Sequence, residues 1–144
     1  MSRDFRFRAW DKKEEKMIYD IEIECDGLGL YFIDYLYDKT YEVMQYIGLK
    51  DKNGEMVFDG DIVLIGDNKA PFKIIYCEDQ ACFNFVSLDK LSLCLLNFDN
   101  NTMEVIGNIY ENPELLNPEL AREKLKELKD MQKQKELYKK LFGE

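Results

Sequence analysis

The chain begins with a two-residue alternation of apolar and polar positions. It runs over residues 5–25 and is interrupted by the polar run 11–16. Such alternation is typical of strands with one buried face. It predicts a hairpin with one face in the core and the other in water, the latter carrying Arg6, Arg8 and Trp10.

Short apolar runs bounded by Asp, Asn, Pro or Gly continue to about residue 110. They predict strands at residues 41–49, 55–58, 62–65, 72–76, 82–86, 91–96 and 103–110. Asn53-Gly54, between the first two, suits a type I′ turn, which requires positive φ. Residues 30–37 fit either a strand or a short helix. The spacing favours a mainly β (α+β) fold, either a small β pseudo-barrel or a folded antiparallel or mixed sheet.

The period changes near the C-terminus. Asn112-Pro113-Glu114-Leu115 is echoed by Asn117-Pro118-Glu119-Leu120, and each copy offers an Asn N-cap, a proline at the first helical position and an acid in the first turn. After Pro118, neither Gly nor Pro occurs before Gly143. The sequence therefore predicts a β-rich domain at residues 1–116 and a long C-terminal helix within residues 117–144.

Apolar positions on this helix form a broken stripe, which we interpret as a possible oligomer or partner interface. Its candidate residues are Leu125, Leu128, Met131, Tyr138, Leu141 and Phe142. Gln134 and Lys135 interrupt the stripe, and too few heptads are present for an autonomous coiled coil. The stripe can face its own β domain or another chain, and the sequence leaves both open.

The charge is unevenly distributed. The chain has 20 basic and 29 acidic residues, a formal net charge of −9. Residues 17–116 hold 6 basic and 19 acidic residues, a net of −13, whereas residues 117–144 hold 8 and 6, a net of +2. Binding to nucleic acid is therefore not expected. An acidic body favours an alternative function, in which it mimics a nucleic-acid backbone and binds a basic DNA-binding protein.

The chain contains no histidine, which removes the Ser-His-Asp and Cys-His mechanisms and the HExxH zinc site. We expect no enzyme activity and no cofactor. The remaining enzymatic alternative is a divalent metal held by Asp59, Asp61 and Asp67. Asp-Gly-Asp before a β-branched strand is more often ordinary turn sequence.

The N-terminal arginines offer a second candidate site. Arg3, Arg6, Arg8 and Trp10 form a basic and aromatic edge that could stack on a single nucleic-acid strand. The structural alternative is that these arginines pair with carboxylates of the next strand, such as Glu22 and Glu24.

The four cysteines, Cys25, Cys77, Cys82 and Cys94, lack the spacing of a zinc site, because only Cys77 and Cys82 lie close together, with four residues between them. No signal peptide and no stretch of about 20 apolar residues is present, so we expect a cytoplasmic protein with reduced thiols and no membrane partner.

Four blocks of the chain carry a family resemblance. They lie at residues 5–11, 46–54, 58–63 and 105–115, the last reading Val-Ile-Gly-Asn-Ile-Tyr-Glu-Asn-Pro-Glu-Leu. Together they closely resemble the YopX family of small phage and prophage proteins, over residues 5–116. The resemblance implies a β-rich pseudo-barrel, a phage or prophage origin in a bacterial host, self-association and no established activity. It offers no catalytic residues, and the sequence therefore indicates a non-enzymatic interaction or self-assembly module.

Overall fold

The computed structural model describes residues 3–23, 29–66, 71–87, 92–94 and 102–143. Three predicted candidates, Glu24, Cys25 and Asp67, lie outside these residues. The elements run in the order β1 (Phe7–Asp11), β2 (Lys16–Tyr19), α1 (Phe32–Tyr37), β3 (Tyr41–Lys50), β4 (Met56–Phe58), β5 (Asp61–Ile65), β6 (Phe72–Cys77), β7 (Cys82–Ser87), β8 (Ser92–Cys94), β9 (Met103–Asn108), a 3₁₀ helix (Pro113–Leu116) and α2 (Pro118–Phe142). The predicted mainly β fold with a long C-terminal helix is confirmed.

The strands in the described part of the chain form two sheets. The first has the order β2-β1-β3-β4 and the second the order β8-β7-β6-β5-β9. All strand pairs within the described residues are antiparallel. The register shifts between Tyr46 and Lys50 on β3 and between Ile62 and Val63 on β5. Such irregularities bend and twist a strand, which curls the sheets around a shared interior.

The predicted N-terminal hairpin is present, but its second strand is shorter than the sequence indicated. Trp10 lies opposite Met17, and β2 ends at Tyr19 rather than continuing to residue 25. Asp20 has a φ of 57°, a left-handed conformation that breaks a strand. The chain then turns, and Ile21 packs in a core cluster with Ala9 and Tyr35.

Within the described ranges, two apolar clusters make the core. The larger lies on β4 to β7 and β9 and comprises Val57, Val63, Ile65, Phe72, Ile74, Phe85 and Met103. The smaller lies between the first sheet and α1, where Phe7, Ile18, Phe32 and Val43 surround Ala9, Ile21 and Tyr35. The first sheet is thus covered on the α1 side as well as on the side that faces β5.

The ambiguous segment at residues 30–37 is a helix. Its start is fixed by a hydrogen bond of 2.8 Å from the backbone N–H of Tyr31 to the Asp34 carboxylate. Phe32 and Tyr35 point into the core, where their rings lie 4.8 Å from those of Phe7 and Tyr41. Five of the six helical residues are apolar or aromatic, so neither a strand period nor a helix period is visible in the sequence.

The predicted turn at residues 51–54 exists, but its type I′ assignment is wrong. The N–H of Gly54 donates to the Asp51 carbonyl at 3.0 Å, so Lys52 and Asn53 are the central residues. A type I′ turn needs positive φ at both of them, whereas in this turn only Gly54 has one, at 82°. The left-handed residue therefore follows the turn, as it does in a three-residue hairpin loop.

Candidate functional site

The ends of α2 are set by the predicted residues. The side chain of Asn117 accepts hydrogen bonds from the backbone N–H groups of Glu119 and Leu120, at 3.0 and 3.5 Å. Gly143 has a φ of 76° and donates its N–H to the Lys139 carbonyl at 3.0 Å. The helix is therefore a capped, continuous rod of 25 residues, about 37 Å long at 1.5 Å per residue.

The second half of α2 exposes large apolar side chains to solvent. Met131, Tyr138, Leu141 and Phe142, which we call the distal face, are between 54% and 68% exposed. The rings of Tyr138 and Phe142 lie 4.7 Å apart and form one aromatic surface. Leu125 and Leu128 lie on the same helix, but their side chains are outside the described part of the structure. The described side chains of the predicted stripe are thus exposed rather than packed against the β domain of the same chain.

The charge around the distal face is basic. Residues 129–142 carry five lysines against one aspartate and one glutamate, a net of +3. Lys135 lies four residues after Met131 and three before Tyr138, so it shares their side of the helix. The face therefore combines aromatic surface with positive charge, whereas the β domain is strongly acidic.

A second apolar surface lies on α1. Ile33, Leu36 and Tyr37 point away from the core, and Tyr31 precedes them; all four are more than half exposed, Tyr37 at 81%. We call these four residues the outer face of α1. A helix that is apolar on every side is normally buried. The sequence did not reveal this face. Once residues 32–37 are placed on a helix, Ile33, Leu36 and Tyr37 fall on a different side from Phe32 and Tyr35, which point into the core.

The predicted water-facing side of β1 is instead buried between the sheets. Arg8 is 4% exposed, and its Nη2 donates to Asp61 Oδ1 at 2.6 Å. Its guanidinium carbon lies 4.5 Å from the centre of the Phe58 ring. Trp10 stacks on Tyr110 at 5.8 Å. Arg6, Arg8 and Trp10 therefore do not form an exposed edge, because β5 supplies a carboxylate, and β4 and the segment after β9 each supply a ring, to this side of β1.

The arginines pair with carboxylates, but with different ones from those predicted. Arg6 contacts Asp4 at 2.9 Å and Asp20 at 3.4 Å, both at the surface. Among the described residues, the two carboxylate oxygens of Glu22 are buried and have no hydrogen-bond partner. The predicted pairing with Glu22 is therefore wrong, since β2 ends before that residue.

Asp59 and Asp61 lie together but in different environments. Asp61 is 1% exposed and also accepts a hydrogen bond of 2.8 Å from the N–H of Phe58. Burial raises its pKa, and the charge of Arg8 opposes this rise. Burial likewise raises the pKa of Asp59 to about 6, with Arg8 lowering it and Asp61 adding to it. Burial also raises the pKa of Tyr110 nearby, with Glu42 and Asp59 adding to it.

This carboxylate pair does not have the form of a metal centre. Arg8 and the Phe58 N–H occupy both oxygens of Asp61. Within the residues that the structure describes, no three acidic or cysteine side chains are placed to hold a metal ion together. The thiols of Cys77 and Cys82 lie opposite each other across β6 and β7, and Cys82 Sγ donates to Asn84 Oδ1 at 3.3 Å. None of the helices described here has the length and apolar character needed to cross a membrane.

Comparison with known proteins identifies the family. The model of the family described as YopX protein matches residues 6–117, more than half of the chain. The chain belongs to the YopX family. The match ends at Asn117, the N-cap of α2, so it spans the strands and the 3₁₀ helix but not α2.

Two solved structures resemble this YopX chain. Protein EF1440 from Enterococcus faecalis is 32% identical, with a TM-score of 0.59, over 80% of this chain and 99% of that one. Protein yopX from Bacillus subtilis is 24% identical, with a TM-score of 0.45, over 77% and 95%. Neither likeness assigns an activity to the YopX fold.

Curated proteins that match are far larger. Probable polyketide synthase 33 of Dictyostelium discoideum is 28% identical over 57% of this chain, and probable polyketide synthase 30 of the same organism is 26% identical over 76%. The YopX chain spans only 3% and 4% of their lengths. Matches that cover so little of a synthase give no basis for assigning its activity here.

The YopX sequence blocks have structural roles in the described contacts. The Asp51 carboxylate accepts hydrogen bonds from the backbone N–H groups of Asn53 and Glu55 at 2.9 Å, and from that of Val105 at 3.0 Å. The Asn108 side chain accepts from Tyr110 and Glu111, at 3.0 and 2.8 Å. These bonds close turns and join distant strands, which gives the blocks at residues 46–54 and 105–115 a structural role.

Proposed function

We propose that this YopX-family chain is a non-enzymatic accessory protein of phage or prophage origin. It acts in the cytoplasm of the bacterial host by associating with further copies of itself. The contact is made by the distal face of α2.

The exposure of α2 carries this proposal. Every described side chain of the helix is exposed, including the four of the distal face. Helices in proteins gain most of their stability by packing an amphipathic face rather than from intrinsic propensity. A 25-residue helix with two ordered caps and an unpacked aromatic surface is therefore expected to pack against a partner.

The charge distribution favours a second copy as that partner. The distal half of the helix has a net charge of +3, and residues 17–116 of any other copy have a net charge of −13. Opposite charges raise the encounter rate and select the orientation of the two surfaces. The chain thus provides both a basic aromatic helix and an acidic body that attracts it.

The non-enzymatic assignment is supported by the chemistry of the candidate groups. The chain has no histidine, and Arg8 and Asp61 neutralise each other between the sheets. The Asp51 and Asn108 side chains of the YopX blocks are engaged in hydrogen bonds that hold turns.

The test is the solution mass of the full chain, measured by light scattering on a sizing column. We expect an oligomer that falls to the 17.1 kDa monomer in a Tyr138→Gln/Phe142→Gln variant. Glutamine is a good helix former, so the helix is retained while the aromatic surface is lost. A chain ending at Leu116 should also be monomeric.

Leu120→Gln is the matched control. Leu120 is also exposed, but it lies in the first turn of α2, about 27 Å along the helix from Tyr138. Its replacement should leave the mass unchanged. A monomeric parent chain would contradict the proposal. Binding of a basic DNA-binding protein that is lost in about 1 M NaCl, where the Debye length is about 3 Å, would favour the mimic instead.

A further inference from the structure

We propose that the outer face of α1 is the surface that receives the distal face of α2 from a second copy of the chain. This inference rests on the proposed self-association and names the two surfaces that meet. Each copy then donates one helix end and accepts another.

The outer face of α1 has the composition of an unoccupied docking surface. Tyr31, Ile33, Leu36 and Tyr37 are adjacent in the fold and more than half exposed. The opposite side of the same helix is fixed in the core by Phe32 and Tyr35. The helix therefore cannot bury its outer face by turning over. Only another chain or another part of this chain can cover it, and the described side chains of α2 are exposed rather than packed there.

The charges around the two surfaces are complementary. Asp34 and Asp38 lie exposed on α1 and at its end, followed by the single cation Lys39. The distal face is flanked by lysines, including Lys135 and Lys139, within a segment of net charge +3. Contact between the two brings opposite charges to the rim of an apolar centre, the usual anatomy of a protein interface.

Pairing of like surfaces is less favourable. Two distal faces in contact would bring two segments of net charge +3 together, and Lys135 would lie within the contact. Two α1 faces would oppose aspartates with aspartates. Like charges at an interface select against such pairings. The incomplete heptads of α2 also lack the continuous apolar seam that a helix pair needs.

The area is sufficient if the contact is reciprocal. Each face exposes on the order of 300 Å², since one aromatic side chain offers about 150–250 Å². A dimer in which each helix end docks on the other copy's α1 would bury four such faces, about 1,200 Å² in total, which is the lower bound for a specific interface. A two-fold symmetric dimer is therefore the expected assembly.

Complementation between two full-length variants tests this arrangement. The acceptor variant, Ile33→Gln/Tyr37→Gln, lacks the α1 surface, and the donor variant, Tyr138→Gln/Phe142→Gln, lacks the α2 surface. Each alone should be monomeric by sedimentation velocity, with the dimer dissociation constant raised at least about tenfold. An equimolar mixture should associate more tightly than either variant alone but less tightly than the parent, because one of the two contacts, about 600 Å², remains.

The controls separate this inference from the proposed function. Tyr76→Gln, an exposed aromatic on β6, should leave the dimer intact. If the acceptor variant dimerises like the parent while the donor variant does not, α2 mediates association but α1 is not its target, and the inference is overturned. If the parent chain is monomeric, the proposed self-association itself fails. A heterodimer formed only by mixing the two variants supports the inference.

Discussion

Replacing Asp61 by asparagine tests whether the buried ion pair joins the two sheets. Asp61 and Arg8 lie on β5 and β1, with 2.6 Å between Oδ1 and Nη2. Arginine remains charged in proteins, whatever its surroundings. Asp61→Asn keeps the shape of the side chain but removes the carboxylate charge that is bonded to the buried guanidinium.

The expected loss of stability follows from the burial of both partners. Breaking a buried pair by removing one partner costs about 3–5 kcal/mol. We expect the lower end, about 3 kcal/mol, because Asp59 also interacts with the Arg8 charge and compensates part of the loss. Arg8→Met should cost about 2–3 kcal/mol, since the remaining Asp61 carboxyl can take up a proton. The double variant should cost about 2 kcal/mol less than the sum of the two.

Urea unfolding followed by Trp10 fluorescence measures these costs. Trp10 is the only tryptophan, and it stacks on Tyr110 between the β1 strand and the segment after β9. Arg6→Met, which removes a surface arginine with exposed partners, is the control and should barely move the unfolding midpoint. Single-variant losses below about 1 kcal/mol that add in the double variant would refute the reasoning, since they are typical of a solvent-exposed pair.

Three further outcomes are expected. Asp59→Asn should stabilise the fold by about 1–2 kcal/mol at pH 7 and have no effect near pH 3. Because the pKa of Asp59 is raised to about 6, its contribution to the stability of the fold is complete below pH 3.8 and is lost as the pH rises through 6. An unchanged pH profile in urea unfolding would contradict this, and Asp79→Asn in an exposed turn is the control. Gly107→Ala should cost about 1–3 kcal/mol in thermal unfolding, since its methyl group would lie 2.5 Å from the Asn112 side-chain oxygen; a neutral effect would mean that Asn112 moves freely. Asn117→Ala should remove about 1 kcal/mol of helix stability and lower the helical signal in circular dichroism, and an unaltered spectrum would argue against the cap.

Local patterns predicted the elements well where one physical rule dominates. The ends of α2 depend on the Asn117 cap and the left-handed Gly143, both of which are visible in the sequence. The strands at residues 41–110 follow from β-branched and aromatic runs between turn residues. These features are set by neighbours along the chain, so one sequence suffices to identify them.

The sequence predictions were wrong where the structure depends on contacts between residues far apart in the chain. Arg8 alternates with apolar residues like a solvent-facing side chain, yet Asp61 and Phe58 bury it. The length of β2 depends on the left-handed conformation of Asp20, which no periodic pattern marks. The outer face of α1 became visible only when the helix and its inward side were known. Tertiary partners thus determined both the buried ion pair and the second apolar surface.

The position of β1 has a consequence for folding during synthesis. Of the strands described here, β1 leaves the ribosome first, but Arg8 pairs with a residue 53 positions later, and Trp10 stacks on Tyr110 at the far end of the β domain. Contacts between distant residues form slowly, because the loop between them must close first. Arg8 of β1 therefore stays unpaired until β5 has been made, and Trp10 stays unstacked until nearly the whole β domain has been made. Nascent chains stalled before residue 110 should be short-lived substrates for proteases and chaperones.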